Sequence, residues 1–231
     1  MNIKQFRYSF DNLGYVVYAQ QEAMAIDGGA VEQIQAFIKD RGLSLKYVTN
    51  THSHADHTTG TSELVKKMNA EYKDHKTIAK IGKILLEDQE IKVLHTPGHT
   101  SDSVSFYTGS CLIAGDTLFN GTVGNCFSGD LDRFLKSIKL LLSYPDDTIL
   151  YAGHDYVTAA IDVARQFEPH NPDLDSYLKG YDPYHVRSTL ADERKVNPFL
   201  RFNRKSIVAM LKRKGLPVDT EDQRWSSVMT L

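Results

Sequence analysis

The sequence has few cysteines and no long apolar run, and both absences exclude classes of protein. Its 231 residues include only two cysteines, too few for a disulfide scaffold or a cysteine-rich zinc module. The apolar stretches are a few residues long, against the roughly 18 that a membrane-spanning helix needs. The N-terminal segment lacks the apolar core of a signal peptide, so we expect a cytoplasmic protein with no membrane association.

The sequence also lacks an excess of charge of one sign. It has 27 Lys and Arg residues against 29 Asp and Glu residues, a net charge of −2, which gives no general attraction to nucleic acid or anionic membranes. The hydrophobic share of 41% is ordinary for a globular protein and excludes disorder. Nothing in this composition predicts an oligomeric state.

Apolar strands alternate with amphipathic helices along the first two thirds of the chain, which predicts an α/β sandwich with helices covering sheets. The first two strands are separated by polar residues, as in a hairpin. The predicted strands are residues 14–20, 23–27, 46–50, 91–96, 103–114 and 148–151. Three helices are predicted: one from residue 31 to about residue 41, one that follows residues 51–60 and ends near residue 68, and one over residues 131–142.

The last 65 residues have a different pattern. Strand signals vanish from about Glu168, and prolines separate short helical pieces. We therefore divide the chain into a main domain, residues 1–167, and a small helical C-terminal region, residues 168–231. Eight Lys or Arg residues and no acidic residue lie between Arg194 and Lys214, forming either a solvated basic face or an anion-binding surface.

The strongest chemical signal is the segment THSHADH at residues 51–57. It places His52, His54, Asp56 and His57 directly after a predicted strand. Imidazole nitrogens and carboxylate oxygens both bind Zn²⁺, and sites of this kind also accept iron or manganese. A loop with four incidental polar residues is the alternative, but four such groups gathered without a cation would repel one another when charged.

Three further candidate ligands each follow a later strand and a turn that contains glycine. They are His99 in TPGHT, Asp116 in AGDT and His154 in AGHD. Any one of them alone would be weak evidence, but strand ends can converge on one edge of a sandwich. Five histidines and two aspartates exceed one tetrahedral site, which predicts two divalent metal ions bridged by a carboxylate.

The sequence gives little support for a catalytic nucleophile other than a metal-bound water. The sequence contains no Gly-x-Ser-x-Gly elbow and no Gly-rich phosphate loop. Cys126 has no evident base beside it, so we interpret it as a packing residue.

The motifs THSHADH, HTPGHT, GDTLF and AGHDY occur in the order and approximate spacing found in the metallo-β-lactamase superfamily. Within it, the chain resembles glyoxalase II, the hydroxyacylglutathione hydrolase family, nearly from end to end. The early DNLGYVVY, ELVKK, ARQFEPHN and above all STLADERKVNPFLRF carry this likeness. The resemblance implies an αββα sandwich followed by a helical region that binds substrate.

The resemblance also implies a role for each candidate ligand. His52, His54 and His99 would bind the first metal, Asp56, His57 and His154 the second, and Asp116 would bridge them. The implied reaction is the hydrolysis of a small-molecule thioester, S-lactoylglutathione or a similar hydroxyacylglutathione, by a hydroxide shared between two ions. Asp56 would both bind metal and orient that hydroxide.

The resemblance is weaker where the family contacts the thiol. Tyr156 matches a family tyrosine, but Asn125 and Phe127 stand where the family has a lysine and a tyrosine. The Arg and Lys pair on the family's last helix has no match. Arg201, in the basic stretch, is the candidate to replace these lost charges, so we predict that Tyr156, Asn125, Phe127 and Arg201 contact the substrate.

Four alternatives remain open at this stage. The chain could be a thioesterase for a different acyl-thiol, a persulfide dioxygenase with one iron ion, or a lactonase of the same fold. It could also be a binding module stabilised by metal, although structural zinc sites close with four ligands and this sequence offers seven.

Overall fold

Two stacked β-sheets form the centre of the protein, whose computed structural model describes all residues from 1 to 231. The first sheet consists of β1 (Asn2–Tyr8), β2 (Asn12–Tyr18), β3 (Glu22–Ile26), β4 (Ser44–Thr49) and β5 (Glu71–Tyr72), in that spatial order. The second contains β6 (Lys83–Leu86), β7 (Gln89–His95), β8 (Val104–Tyr107), β9 (Cys111–Gly115), β10 (Ile149–Ala152) and β11 (Ser188–Thr189), with each strand beside its neighbours in sequence. Strands β3, β4 and β5 run parallel, as do β9 and β10.

Ten helices surround the sheets. They are α1 (Val31–Asp40), α2 (Ala55–Thr58), α3 (Thr61–Met68), α4 (His75–Ile81), α5 (Leu131–Leu141), α6 (Val157–Phe167), α7 (Asp173–Lys179), α8 (Leu190–Val196), α9 (Lys205–Arg213) and α10 (Glu221–Met229). None of them combines the length and the hydrophobicity that crossing a bilayer requires.

The strand periodicity explains why the two sheets stack. On β2, Tyr15 and Val17 face a core shared with Phe106 of the second sheet, whereas Val16 faces the opposite side. There it packs in a second core with residues of α1 and α3, such as Ile34. This alternation with a period of two lets one strand bury both faces. The predicted α/β sandwich is confirmed.

A third core lies on the outer face of the second sheet. Phe134 and Ile138 of α5 pack there with Leu112 of β9 and with Trp225 of α10, and all four are buried. The C-terminal helices therefore share a core with the strand that precedes Asp116. The division after residue 167 remains a prediction.

A buried carboxylate, Glu193 of α8, also joins the C-terminal region to the sandwich. It accepts hydrogen bonds from the Tyr177 hydroxyl (2.5 Å), Ser188 Oγ (2.7 Å) and the Gly121 amide (2.8 Å). Burial raises the pKa of Glu193, and these donors offset the cost of burying its charge. Because Gly121 lies in the loop after Asp116, Glu193 helps to fix that loop.

The structure differs from the predicted strands in three respects. The sequence pattern did not predict β1, β5 or β6. The predicted strand 103–114 is two antiparallel strands, β8 and β9, because the chain reverses at Gly109, which has a φ of +89°. A short strand also lies beyond Glu168, where none was predicted. Its two residues, Ser188 and Thr189, pair with β10 and are too few to show a pattern.

Candidate metal centre

The seven predicted ligands come together at one end of the sandwich, each just beyond the end of a strand. The segment 51–57 follows β4 of the first sheet, and His99, Asp116 and His154 follow β7, β9 and β10 of the second. Helix α2 is a single turn that carries Asp56 and His57 and has His54 at its N-cap. The site therefore lies where the edges of the two sheets meet.

One group of ligands consists of three imidazoles. His54 Nδ1 lies 2.9 Å from His52 Nε2 and 3.0 Å from His99 Nε2. Three nitrogens so close together can all contact one ion, since nitrogen ligands bind Zn²⁺ at about 2.0–2.1 Å. We call these residues the first group.

The second group combines two imidazoles with a carboxylate. His57 Nε2 and His154 Nε2 are 3.1 Å apart, and Asp56 Oδ2 lies 3.5 Å and 3.3 Å from them. Half of the Asp56 side chain is exposed, whereas His57 is fully buried. Asp56 is thus the ligand that faces solvent and approaching molecules.

Asp116 lies between the two groups. Its Oδ1 is 3.3 Å from His57 Nε2, and its Oδ2 is 3.5 Å from both His99 Nε2 and His154 Nε2. A Cβ at Gly153 would lie 2.1 Å from Asp116 Oδ1, so only glycine leaves room for the carboxylate there. One carboxylate oriented in this way can contact an ion in either group.

The donor atoms of the site fit metal ions better than they fit one another. His57 Nδ1 donates to Asp27 Oδ2 (2.9 Å) and His154 Nδ1 donates to Asp11 Oδ1 (3.0 Å), so in the neutral imidazoles two Nε2 lone pairs face each other. Asp116 Oδ1 is buried and accepts no hydrogen bond. Facing lone pairs and an unpartnered buried carboxylate oxygen are stabilised when a cation lies between them.

The charges of the site support the same interpretation. Four carboxylates, those of Asp11, Asp27, Asp56 and Asp116, surround the imidazoles, and two divalent ions would balance them. Burial acts to lower the pKa of His57, but Asp27 and Asp116 outweigh it and raise the pKa well above its usual value. The negative charge that favours a proton on His57 equally favours a dication in its place.

Three further candidate ligands, His52, His99 and Asp56, have the protonation states that metal binding needs. Burial lowers the pKa of His52 to about 3 and also lowers the pKa of His99, so both imidazoles are neutral at physiological pH. Burial acts to raise the pKa of Asp56, but the hydrogen bond from Asn12 Nδ2 (2.9 Å) and the charge of His57 lower it overall.

Sequence reasoning missed the residues that orient the ligands. Asp27 accepts hydrogen bonds from the Thr51 amide (2.8 Å) and the Thr51 hydroxyl (2.7 Å) as well as from His57, and Asp11 supports His154. The sequence held a signal for Asp27, because this residue directly follows β3, and β3 runs parallel to β4, which precedes the segment 51–57. Asp11 lies in a hairpin turn, and only the three-dimensional contact reveals it.

Two of the predicted substrate residues border the ligand groups. The Phe127 ring, 66% exposed, lies 5.8 Å from His54 and 5.2 Å from His99 between ring centroids. Tyr156, 37% exposed, stacks on His154 at 5.1 Å with nearly parallel rings. Each group of ligands therefore has an accessible aromatic ring beside it.

The other two predicted substrate residues have different surroundings. Asn125 is exposed, and its backbone carbonyl accepts a hydrogen bond from His99 Nδ1 (2.9 Å). Arg201 forms two hydrogen bonds to the largely buried Glu168, at 2.6 and 3.1 Å. Because its charge is already neutralised, this ion pair argues against the predicted contact of Arg201 with substrate.

The comparisons with known proteins agree with the geometry. The metallo-beta-lactamase superfamily profile matches residues 71–154, and the profile of the hydroxyacylglutathione hydrolase C-terminus matches residues 155–227. Among solved structures, ETHE1 from Myxococcus xanthus aligns with a TM-score of 0.65 over 98% of this chain and 100% of that one, at 23% identity. The fold and the matching profiles thus define a hydrolase of the metallo-β-lactamase superfamily.

Curated relatives narrow this class. The hydroxyacylglutathione hydrolase of Idiomarina loihiensis is 34% identical to this chain over 82% of this chain and 81% of the relative. That of Bartonella tribocorum is 33% identical over 93% of each chain. The chain belongs to the hydroxyacylglutathione hydrolase (glyoxalase II) family, as the resemblance in its sequence predicted.

Proposed function

We propose that the protein hydrolyses thioesters of the hydroxyacylglutathione class and that it uses two divalent metal ions. The observation that carries this proposal is the position of Asp116 between two separate groups of ligands, with its buried Oδ1 accepting no hydrogen bond. Zn²⁺ is the ion we propose, because imidazole and carboxylate ligands suit it, and the same donors also accept iron or manganese.

The proposed ligands each have a defined part. His52, His54 and His99 would hold one ion, Asp56, His57 and His154 the other, and Asp116 both. Two ions bound in this way lower the pKa of a water molecule toward neutrality and polarise a carbonyl group. Asp27 and Asp11 fix the rings of His57 and His154, so the ligand geometry is set before substrate arrives.

The chain's own groups near the solvent would orient the substrate. Asp56 is half exposed and accepts a hydrogen bond from Asn12, which leaves its carboxylate directed at the reacting centre. Phe127 and Tyr156 would pack against the substrate on the two sides of the centre. No general acid is required, since a thiol with a pKa near 8.5 leaves readily as the thiolate.

The groups around the centre also suggest how the enzyme treats the thiol. Asn125 supplies no charge where the family has lysine, and Arg201 is neutralised by Glu168. Each lost charge-assisted contact weakens binding of a glutathione carboxylate by roughly 1.5–3 kcal/mol. We therefore propose a relaxed preference for the thiol, in which glutathione esters are accepted but not strongly selected.

Replacing Asn125 with lysine should restore part of the selectivity for glutathione. The Asn125 side chain is exposed, and its link to His99 uses the backbone carbonyl, so the substitution leaves the ligand in place. We expect the ratio of kcat/KM for S-lactoylglutathione to that for a thioester of an uncharged thiol to rise about 5- to 10-fold. Asn125→Gln is the matched control and should leave this ratio unchanged, and an equal rise in both variants would contradict the explanation.

A panel of substrates tests the reaction itself. Zinc-loaded protein is assayed with S-lactoylglutathione, a thioester of an uncharged thiol and a lactone, and iron-loaded protein is assayed with a persulfide under oxygen. Thioester hydrolysis well above the other activities is expected. Oxygen uptake with the persulfide by protein containing one iron, or dominant lactone hydrolysis, would replace the proposal by the corresponding alternative, and inactivity on the whole panel would favour a binding module.

A further inference from the structure

A second polar cluster lies beside the first group of ligands and is separate from the metal centre. Its central member is Asp102, in the loop after His99. Asp102 Oδ2 accepts hydrogen bonds from Ser53 Oγ and from His75 Nε2 (3.0 Å), and it pairs with Lys76 Nζ at 3.2 Å. Its Oδ1 accepts a hydrogen bond from Thr100 Oγ1 (2.7 Å).

The partners of Asp102 lie next to candidate metal ligands in the sequence. Ser53 lies between two ligands, His52 and His54, and Thr100 directly follows the third, His99. Asp102 therefore contacts both segments that carry the first group of ligands. Its side chain is only 16% exposed, so the carboxylate itself is largely shielded from competing water, although Ser53 lies at the surface.

His75 provides a fixed point for this network. It is the first residue of α4, is 3% exposed, and packs beneath the loop that contains Asp102. Asp74 caps the same helix by accepting a hydrogen bond from the Thr77 amide (3.1 Å). The network thus connects both ligand segments to the N-terminus of a capped helix.

The imidazoles of the two ligand groups are oriented by different hydrogen-bond partners. This difference explains why the first group would need the hydrogen-bond network around Asp102. In the second group, carboxylates accept directly from the rings of His57 and His154. In the first group, the oxygens that contact the imidazoles belong to the neutral Thr51 hydroxyl and Asn125 carbonyl. No carboxylate orients the His52 or His99 ring through its second nitrogen.

We infer that Asp102 is a positioning residue, which fixes the spacing between the His52–His54 segment and the His99 loop and thereby sets the metal affinity of the first group. This inference rests on the proposed metal centre. Asp102 accepts hydrogen bonds from Ser53 and Thr100 in the two ligand segments and from His75 in α4. It therefore positions whole segments, whereas Asp27 and Asp11 each position a single imidazole ring. Loss of a supporting group of this kind typically weakens metal affinity by about 10- to 100-fold.

The test measures metal affinity in the full chain. Metal-depleted wild type, Asp102→Asn and Ser53→Ala proteins are titrated with Zn²⁺ against a chelator and with Co²⁺ followed by its absorption spectrum. The exposed Asp88→Asn carries the same charge change and serves as control. To assign the affected site, Asp102→Asn is also combined with His154→Ala, which leaves the first group as the main binding site.

We expect about 10- to 100-fold weaker binding at one of the two sites in Asp102→Asn, a smaller loss in Ser53→Ala, and wild-type binding in Asp88→Asn. The same weakening in the His154→Ala background would support the assignment to the first group. If wild type and Asp102→Asn both bind two ions with equal affinities, the inference about Asp102 is overturned while the proposed function stands. Equal weakening at both sites would also overturn it, and a wild type that binds fewer than two ions would contradict the proposed function as well.

Discussion

Replacing Asp116 with alanine should weaken the binding of both metal ions and lower thioester hydrolysis by about 100- to 1,000-fold. Asp116 is the one residue whose two oxygens lie within 3.5 Å of nitrogens from both ligand groups. Without it, each group keeps three ligands, and the two ions lose the charge that separates them. The expected loss of rate matches the contribution of a main electrostatic element of an active site, which is about 10²–10³-fold for a single donor.

The comparison with His154→Ala makes this result specific. His154 contacts the second group and Asp116 but none of the first group's histidines, so its loss should mainly reduce occupancy of the second site. Elemental analysis of both purified variants, with circular dichroism as a check on folding, separates the two effects. Equal loading with two metals in both variants would refute the assignment of Asp116 as the bridge.

Replacing Trp225 with alanine should destabilise the protein by about 3–5 kcal/mol, the usual cost of deleting a large aromatic side chain from a core. Trp225 is 1% exposed, packs against Phe134 and Phe202 at 5.7 and 5.6 Å between ring centroids, and donates a hydrogen bond to the Leu131 carbonyl (2.9 Å). Because this core also contains Leu112 of β9, the damage should reach the strand that precedes Asp116. Urea denaturation followed by circular dichroism measures the free energy of unfolding.

Trp225→Phe is the matched control, since it keeps an aromatic ring and loses the hydrogen bond and part of the volume. We expect a clearly smaller loss than in the alanine variant, together with normal metal content below the unfolding transition. A loss below about 1 kcal/mol in Trp225→Ala would show that α10 contributes little to the core, and that the C-terminal helices are a loosely attached region.

The clustering of the seven candidate ligands was predictable from their positions in the sequence. Each of the segments with His52, His99, Asp116 and His154 follows an apolar strand, and strands of stacked sheets that end on the same side bring such segments together. The strand and helix pattern likewise predicted the sandwich, since Tyr15 and Val16 alternate between two cores. The strand pattern was therefore enough to place a candidate ligand at the site wherever that ligand directly follows a strand.

Contacts between distant segments were not predictable in the same way. Asp11 supports His154 across 143 residues, and Asp102 joins Ser53 and His75 from different parts of the chain. Arg201 was predicted to contact substrate from its charge alone, but the nearby Glu168 neutralises it. Tertiary packing determines which partner a charged side chain contacts, and the spacing of residues in the sequence does not predict that contact.

The central claim is that two metal ions at this centre are required for thioester hydrolysis. The most direct test is to deplete the purified protein of metal, add Zn²⁺ stepwise, and follow both bound metal per chain and the hydrolysis of S-lactoylglutathione. Our account predicts negligible activity in the depleted protein and two ions bound at saturation, with activity still rising as the second ion binds. Hydrolysis that persists without metal, or that reaches its maximum with one ion bound and no second, would contradict it.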